Sequence, residues 1–271
     1  ILVPVDFSTP SENAMKVAAG LAKRNNAQLC VLHVIELAET LFGSEQFNVD
    51  DEQIVFFMKM AKKRFAKFLD KDYLKELDYK DMVDIGPTSK YISEYAKKEN
   101  VDMIVMGSTG VSGLEEVLIG SNTEKIVRTS SVPVLVVKKK MEDLAINQVV
   151  FASDFDIESL KAYENAKRFA DSFNAELKLL YVNLPGNQFY STQEIHEQMR
   201  KFLHKAEVEL NEKNVTIYND YTIQLGVING ANTLKADLIA MPTHGRQGIS
   251  HFFNGSIGED VVNHSTLPVI T

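Results

Sequence analysis

The sequence predicts an α/β protein with two tandem open parallel sheets, each of five strands with helices on both faces. Three observations lead to this prediction. The 271 residues suit two domains of average size. The landmarks of the first half recur in the same order in the second half. Short β-branched runs alternate with helical patterns, and strands joined through helices pair in parallel.

The repeat can be followed through both halves. Ile1–Phe7 and Val149–Phe155 are apolar runs that end in Asp-Phe, and Leu29–Ile35 matches Leu177–Asn183 at the same offset of 148 residues. Three later pairs are offset by 135 residues, namely Asp102–Met106 with Asp237–Met241, Gly120-Ser121 with Gly255-Ser256, and Val132–Val134 with Leu267–Val269. We therefore predict domains at 1–140 and 147–271, with a solvated linker around 138–147.

A further match pairs Gly86 with Gly226, at an intermediate offset of 140 residues. The offset between matching residues thus shrinks along the chain from 148 to 140 and then to 135 residues. This predicts that the second copy has lost residues in its middle and in its third helix.

The first copy defines the elements. Strands are predicted near 1–5, 29–35, 80–85, 102–106 and 133–137, and helices near 10–25, 51–70, 88–99 and 121–129. Thr9, Pro10 and Glu12 predict the start of the first helix as its N-cap, first-turn proline and capping-box glutamate. An apolar stripe follows in each copy, consisting of Ala14, Val17, Ala18 and Leu21, and of Ala162, Ala166, Phe169 and Ala170.

Composition excludes several classes of protein. A net charge of −8 argues against a nucleic-acid binder, which needs a basic face. No apolar run approaches the roughly 18 residues of a membrane span. The single cysteine, Cys30, excludes a disulfide framework within the chain, and we expect a buried inert thiol and a cytoplasmic location. The sequence opens inside an apolar run, so we expect residues upstream of Ile1.

Two features of the first copy lie where parallel sheets bind ligands, beyond the carboxyl ends of strands. One is Asp6, after strand one. The other follows strand four, where Gly107 and Gly110 precede nine residues and then Gly120 and Ser121. Glycine lets main-chain N–H groups approach an anion, and a helix that begins at Ser121 offers further free N–H groups. The pattern therefore predicts a phosphate site.

A purely structural explanation accounts for the same residues. Ser121 and Glu124 have the spacing of a capping box, as do Ser256 and Glu259, and glycines after a strand often only form turns. The segment is neither a Walker A loop nor a dinucleotide-binding fingerprint. No histidine set predicts a metal site, and His33 is interpreted as a core histidine with a hydrogen-bond partner.

With these motifs the chain resembles the universal stress protein family over essentially its whole length. The resemblance rests on the glycine spacing after a strand reading Asp-x-Ile-Val-Met, on Pro-Val-Asp-Phe-Ser at the start, on His-Val after strand two and on Gly86-Pro87. It implies a fold of the adenine nucleotide alpha hydrolase type. It also implies a stress-response protein that binds ATP or another adenine nucleotide, with or without Mg²⁺.

The resemblance also implies roles for residues of the first copy. Asp6 would contact the ribose and Val34 the adenine, and Met106 would line the base or sugar pocket. The phosphates would lie against the glycine loop and the helix after it, that is against Gly107, Gly110, Gly120, Ser121, Asn122 and Thr123.

The second copy keeps only part of this pattern. Asp154, Val182, Gly245, Gly255 and Ser256 remain, but proline stands at position 242 in place of the first glycine. Proline has no N–H group and a fixed φ, so we expect the second site to be weaker or empty.

Three functions stay open from the sequence. The first is a nucleotide-dependent regulator or adaptor, whose catalysis is at most slow ATP hydrolysis or self-phosphorylation. The second is a nucleotide-free stress-response interaction module, and the third is a true hydrolase. By resemblance, Pro133–Val137 and Pro268–Ile270 should pair antiparallel and form an intramolecular pseudo-dimer, with a further homodimer left open. We expect no nucleic-acid or membrane partner.

Overall fold

The computed structural model describes residues 1–36, 51–108, 120–140, 145–242 and 256–271, and within these the ten strands form one continuous sheet. The first half contains β1 (Leu2–Pro4), α1 (Thr9–Asn25), β2 (Leu29–Ile35), α2 (Asp51–Leu69), β3 (Tyr79–Ile85), α3 (Thr88–Lys98), β4 (Ile104–Gly107), α4 (Ser121–Thr129) and β5 (Val134–Val137). The second half contains β6 (Gln148–Ala152), α5 (Leu160–Phe173), β7 (Glu176–Asn183), α6 (Thr192–Lys205), β8 (Val215–Asn219), α7 (Ile223–Thr233), β9 (Leu238–Ala240), α8 (Ser256–His264) and β10 (Val269–Ile270).

The strand order is β3-β2-β1-β4-β5-β10-β9-β6-β7-β8. Strands are parallel within each half, as predicted, and the halves meet at the antiparallel pair β5–β10. In this pair Val269 lies opposite Val136, and Val134 and Thr271 exchange two main-chain hydrogen bonds of 3.1 and 3.0 Å. The pairing covers two strand edges that would otherwise offer free N–H and C=O groups.

Both faces of the sheet are buried under helices. Neighbouring residues of one strand point to opposite faces, so Val105 belongs to the core under α1 and α5, whereas Met106 belongs to the core on the other face. Each core runs through both halves without a break. The continuous apolar runs in the sequence reflect this burial on both sides.

The start of α1 differs from the prediction. The N-cap is Ser8 rather than Thr9, and its side chain accepts a hydrogen bond from the main-chain N–H of Ser11. Glu12 is therefore not a capping-box residue, and its carboxylate instead lies 3.3 Å from Lys16 and 3.2 Å from Lys71. The predicted apolar stripe of α1 is fully buried.

The predicted match of Gly86 with Gly226 is wrong. Gly86 follows the end of β3, whereas Gly226 lies inside α7. The residue that follows the equivalent strand β8 is Asp220. Helices α3 and α7 both have 11 residues, so the third helix of the second half is not shortened. The loss lies earlier, where α6 has 14 residues and α2 has 19.

The expected solvated linker is also wrong at Lys138. This side chain is largely buried, and its Nζ donates a hydrogen bond to the carbonyl of Val262 in α8. Burial lowers the pKa of Lys138 to about 8. Further along, Ile146 is buried in the core and the main-chain N–H of Asn147 donates to Asp237. Lys138 therefore ties the end of the first half to α8, and Ile146 and Asn147 anchor the start of the second half.

The seam between the halves, that is the antiparallel pair β5–β10, gives a first prediction. Val269→Asp places a charge in a fully buried position of β10, and we expect it to lower the free energy of unfolding by at least about 3 kcal/mol. Val55→Asp is the matched control, because Val55 is about half exposed on α2 and the same change there should cost under about 1 kcal/mol. Denaturant unfolding of both variants measures the difference, and equal losses would contradict the described seam.

Candidate functional site

A cleft of about 380 Å³ lies at the carboxyl ends of β1, β2 and β4. Here the chain has built outward from β1 through β2 to β3 and then crosses to β4 on the other side of β1. Ligands of open α/β sheets bind at such points, where the connections leave in opposite directions. The volume is in the range of small-molecule sites.

Eight of the nine residues that the sequence proposes for the first half line this one cleft, namely Asp6, Val34, Met106, Gly107, Gly120, Ser121, Asn122 and Thr123. The ninth, Gly110, lies outside the described residues. These eight come from four separate stretches of sequence, and the parallel sheet brings them together.

Asp6 lies on a tight turn at the end of β1. Its Oδ1 atom accepts hydrogen bonds from the main-chain N–H of Ser8 at 3.0 Å and from the Ser8 hydroxyl at 2.5 Å. Loss of solvent around the carboxyl opposes ionisation, but these hydrogen bonds outweigh it and hold the pKa of Asp6 below its ordinary value of 3.8. The cleft therefore presents a carboxylate, which accepts hydrogen bonds from donors such as sugar hydroxyls.

Phe7 fixes this turn. Its φ of 65° lies in the left-handed region, which bulky residues rarely adopt. Its ring packs 4.3 Å from the ring of His33 and 5.6 Å from that of Phe68, both centroid to centroid. The His33 Nδ1 atom is 2.8 Å from the carbonyl oxygen of Val5, in agreement with the interpretation of a core histidine. Core packing thus holds the Asp6 carboxylate at the cleft.

The first turn of α4 forms the opposite end of the cleft. The N-cap is Gly120, which has no side chain to accept hydrogen bonds from the N–H groups of that turn. Ser121 is the first helical residue, so the predicted capping box of Ser121 and Glu124 is wrong. The Thr123 hydroxyl donates to the carbonyl of Gly107 at 3.2 Å and ties this turn to β4. The free N–H groups and the helix dipole favour an anion here.

Gly107 has a packing role beside its position in the cleft. A Cβ atom built on it would lie 2.4 Å from the carbonyl oxygen of Pro10 and 2.5 Å from the carbonyl carbon. The first turn of α1 therefore lies directly on the end of β4. Only glycine allows this approach without a main-chain shift.

Nine further residues line the cleft and were not predicted from the sequence. They are Pro4, Val5, Ser8, Pro10, Ser11, Leu32, Glu36, Thr88 and Ile92. Alternation along β2 could have found two of them, because Leu32 and Glu36 lie two residues from Val34 and face the same side of the strand. The residues of α3 carry no such signal, because their position depends on how that helix packs against the sheet.

Among the residues that the structure describes, the equivalent region of the second half is closed. Asp154 is 8% exposed and Val182 is 1% exposed, whereas Asp6 and Val34 line the open cleft. Burial raises the pKa of Asp154 above its ordinary value, although hydrogen bonds such as that from the N–H of Asp156 oppose the rise. Gly245 and Gly255 lie outside the described residues, and Ser256 begins α8.

Two glycines account for the burial of Val182. Gly226 and Gly230 are the fourth and eighth residues of α7, where α3 has Tyr91 and Tyr95. A Cβ atom on Gly226 would lie 2.3 Å from Cγ1 of Val182, and one on Gly230 would lie 2.9 Å from Cδ2 of Leu180. Helix α7 therefore rests directly on β7 and covers Val182.

The described part of the chain contains no group of three or more histidine, cysteine, aspartate or glutamate side chains placed to hold a metal ion. Cys30 is buried, and burial raises its pKa, which is consistent with an unreactive thiol. No described helix has both the length and the apolar character needed to cross a membrane.

Comparison with known proteins agrees with this architecture. The model of the universal stress protein family matches residues 1–138 and again residues 145–271. Universal stress protein MJ0577 of Methanocaldococcus jannaschii is 34% identical over 153 residues, which are 52% of this chain and 94% of that protein. Universal stress protein YxiE of Bacillus subtilis is 31% identical over 148 residues, 51% of this chain and 97% of that protein.

Several solved structures match both halves together. Among them is a universal stress protein from Archaeoglobus fulgidus, with a TM-score of 0.77 and 23% identity, and the match covers 99% of this chain and 96% of that one. This likeness shows a shared fold.

The two aspartates should respond to pH in opposite ways. The lowered pKa of Asp6 contributes stability that is present above pH 3.8 and is lost as pH falls through the folded pKa, so Asp6→Asn should destabilise at pH 7 and cost less at pH 3. The raised pKa of Asp154 contributes stability that is present below pH 3.8 and is lost as pH rises through the folded pKa. Asp154→Asn should therefore raise the melting temperature at pH 7 and not near pH 3. Thermal unfolding at both pH values measures this, and shifts of the same sign at pH 7 would contradict the assignment.

Gly107→Ala should lower the free energy of unfolding by about 2–4 kcal/mol, because the new methyl group meets the main chain of Pro10. Gly186→Ala is the control. Nothing lies within 4 Å of its Cβ position, so only its left-handed backbone opposes the change, at about 1 kcal/mol. Denaturant titration compares the two variants, and an equal cost would remove the packing role of Gly107.

Proposed function

Because this chain belongs to the universal stress protein family, we propose that its N-terminal half, 1–140, binds an adenine nucleotide such as ATP in the described cleft. The observation that carries the proposal is the order of chemistry along that cleft. Uncapped main-chain N–H groups at the start of α4 suit phosphate, the Asp6 carboxylate suits a sugar, and apolar side chains beyond it suit a base.

The apolar part of the cleft lies between β2 and α3. Leu32 and Val34 come from the strand, Ile92 from the helix, and Met106 from the end of β4. All four belong to or pack against one core, so the pocket is preformed. Val34 is the partly buried member of this set, and a flat aromatic base can lie against its exposed apolar surface.

The second half, 147–271, is proposed to act without a comparable nucleotide. Its aspartate is buried, its valine is covered by α7, and Pro242 stands at the entry of its loop. One nucleotide per chain is therefore expected, with Mg²⁺ held through the phosphates when a triphosphate is bound.

The position of α4 between the cleft and the second half supports a role as regulator or adaptor. Its first turn forms the phosphate end of the cleft, and its body packs against α8 of the second half. Arg128 of α4 lies 3.8 Å from the carboxylate of Glu259 in α8. A ligand at α4 would thus act on an element shared by both halves.

A nucleotide-free interaction module is the second candidate. It is favoured by large apolar side chains exposed around the closed region of the second half, including Phe189 at 61% and Tyr221 at 85%. Exposed apolar clusters are typical of interaction surfaces. This candidate predicts a folded chain with no nucleotide affinity.

Isothermal titration calorimetry with ATP and AMP separates the two. We expect one site per chain with a dissociation constant from roughly 0.1 to 50 μM, and loss of at least about tenfold in affinity in Gly120→Val, whose side chain would enter the phosphate end. Asp6→Ala should weaken binding about tenfold, and the matched change Asp154→Ala should leave it unchanged. No heat of binding with a folded protein would favour the interaction module.

A further inference from the structure

We propose that the chain pairs with a second copy of itself, with α2 of each copy lying against the carboxyl ends of β6, β7 and β8 of the other. The inference goes beyond the proposed function, because it uses neither the cleft nor a bound nucleotide. It also differs from the β5–β10 pair, which joins the two halves within one chain.

The exposed large apolar side chains are concentrated on two surfaces. Among the described residues ten such side chains are at least 37% exposed, and nine of them lie on α2 or at the three strand ends. Those of α2 are Val55, Phe56, Phe57 and Met60, and those of the strand ends are Ile157, Phe189, Tyr190, Tyr221 and Leu225. Single exposed apolar residues are ordinary, but clusters of them mark interaction sites.

The outward side of α2 combines apolar and basic side chains. Ala61, Phe65 and Phe68 are buried and set the inward side. On the opposite side a stripe at the helical spacing of three or four residues is exposed, hereafter the basic stripe, which consists of Phe56, Lys59, Met60, Lys63 and Lys67. Residues 54–69 contain five lysines and arginines, all exposed, and no acidic residue. The helix therefore presents apolar groups together with positive charge.

The carboxyl ends of β6, β7 and β8 form the second surface, hereafter the acidic edge, which consists of residues 155–160, 183–191 and 219–225. The three strands are neighbours, about 4.8 Å apart. Asn183 ends β7, and its side chain forms hydrogen bonds of 3.0 and 3.1 Å with the main chain of Tyr190. Its carbonyl oxygen accepts the N–H of Asp220 at 3.3 Å. The exposed aromatic residues thus stand on loops that are held to the strand ends.

The charge of this edge is opposite to that of α2. Residues 155–160, 183–199 and 219–234 contain no lysine or arginine. They carry five acidic side chains that are at least partly exposed, namely Asp156, Glu158, Glu194, Glu197 and Asp220. The acidic edge and the first turns of the helices that follow it therefore join apolar groups to negative charge.

The two surfaces cannot meet within one chain. Helix α2 packs on β2 and β3, and six strand spacings, about 29 Å, separate β2 from β6 in the sheet. A second copy supplies the surface that each lacks, because every copy carries both. Burial of the apolar side chains favours the contact, and opposite charges orient it. In a twofold pair the contact forms twice, once in each direction.

Sedimentation velocity of the full chain measures the association. We expect a monomer–dimer equilibrium with a dissociation constant of roughly 1–50 μM in about 50 mM salt, weakened at least about threefold in about 500 mM salt because salt screens exposed charges. Tyr221→Ser should weaken it at least about fivefold, because Tyr221 is 85% exposed on the acidic edge. Tyr79→Ser is the matched control, because Tyr79 is exposed outside both surfaces, and it should leave the equilibrium unchanged.

Charge reversal tests whether these two surfaces contact each other. Lys59→Glu with Lys63→Glu makes the stripe negative, Glu158→Lys with Glu197→Lys makes the edge positive, and each pair of changes alone should weaken association at least about tenfold. A mixture of the two variants restores opposite charges at both contacts of a twofold pair. It should therefore associate within about threefold of the native affinity.

Several results would overturn the inference. They are a native chain that stays monomeric up to about 200 μM, association that survives either charge reversal, and a mixture that does not associate. A monomeric native chain that binds vesicles containing phosphatidylserine, and loses this binding in Lys59→Glu with Lys63→Glu, would assign the basic stripe to a lipid surface instead. Thermal unfolding shows whether each variant is folded, and if a reversed pair is not, Tyr221→Ser against Tyr79→Ser decides. Nucleotide binding is measured separately, so either proposal can fail while the other stands.

Discussion

The aspartate–phenylalanine turn at the end of the first strand of each half is the constraint from which the site is built. Phe7 and Phe155 both lie in the left-handed region, with φ of 65° and 58°, and both rings contact the core. In each turn the aspartate Oδ1 atom accepts the N–H of the residue two positions on. An unfavourable backbone conformation persists when packing over-determines it, and here aromatic packing does so twice.

The same local turn leads to different environments because the helices that cover it differ. In the first half the ring of Tyr91 lies over Gly86, and the Tyr95 hydroxyl donates to Asp84 on β3 at 3.3 Å. In the second half glycines at the equivalent helix positions let α7 rest on β7. Two glycines in one helix therefore account for the burial of Val182, whereas the main-chain carbonyl of Asp154 accepts a hydrogen bond from Gln198 of α6.

Much of the fold could be predicted because alternating apolar runs and helical stripes are local signals. All nine elements of the first half were located to within about two residues, and eight proposed site residues line one cleft. The errors have physical causes. Gly86 and Gly226 were matched because both are glycines. Gly86 follows the end of a strand, however, whereas Gly226 lies inside a helix at its contact with a strand. Lys138 was expected in solvent because its burial comes from α8, more than 120 residues away in sequence. Glu36 and Thr88 meet only after α3 has packed against β2.

Charged residues connect the anion end of the cleft with the contact between the two halves. Burial raises the pKa of Glu259, the neighbouring charge of Glu124 raises it further, and Arg128 opposes both. Glu124 and Arg128 belong to α4, whose first turn forms the anion end of the cleft, and Glu259 belongs to α8. The turn at the anion end of the cleft and the charged residues near α8 therefore belong to one helix of nine residues. If an anion binds at this turn as proposed, it lies at one end of the helix that carries Arg128, and we expect anion binding and the α4–α8 contact to be energetically coupled.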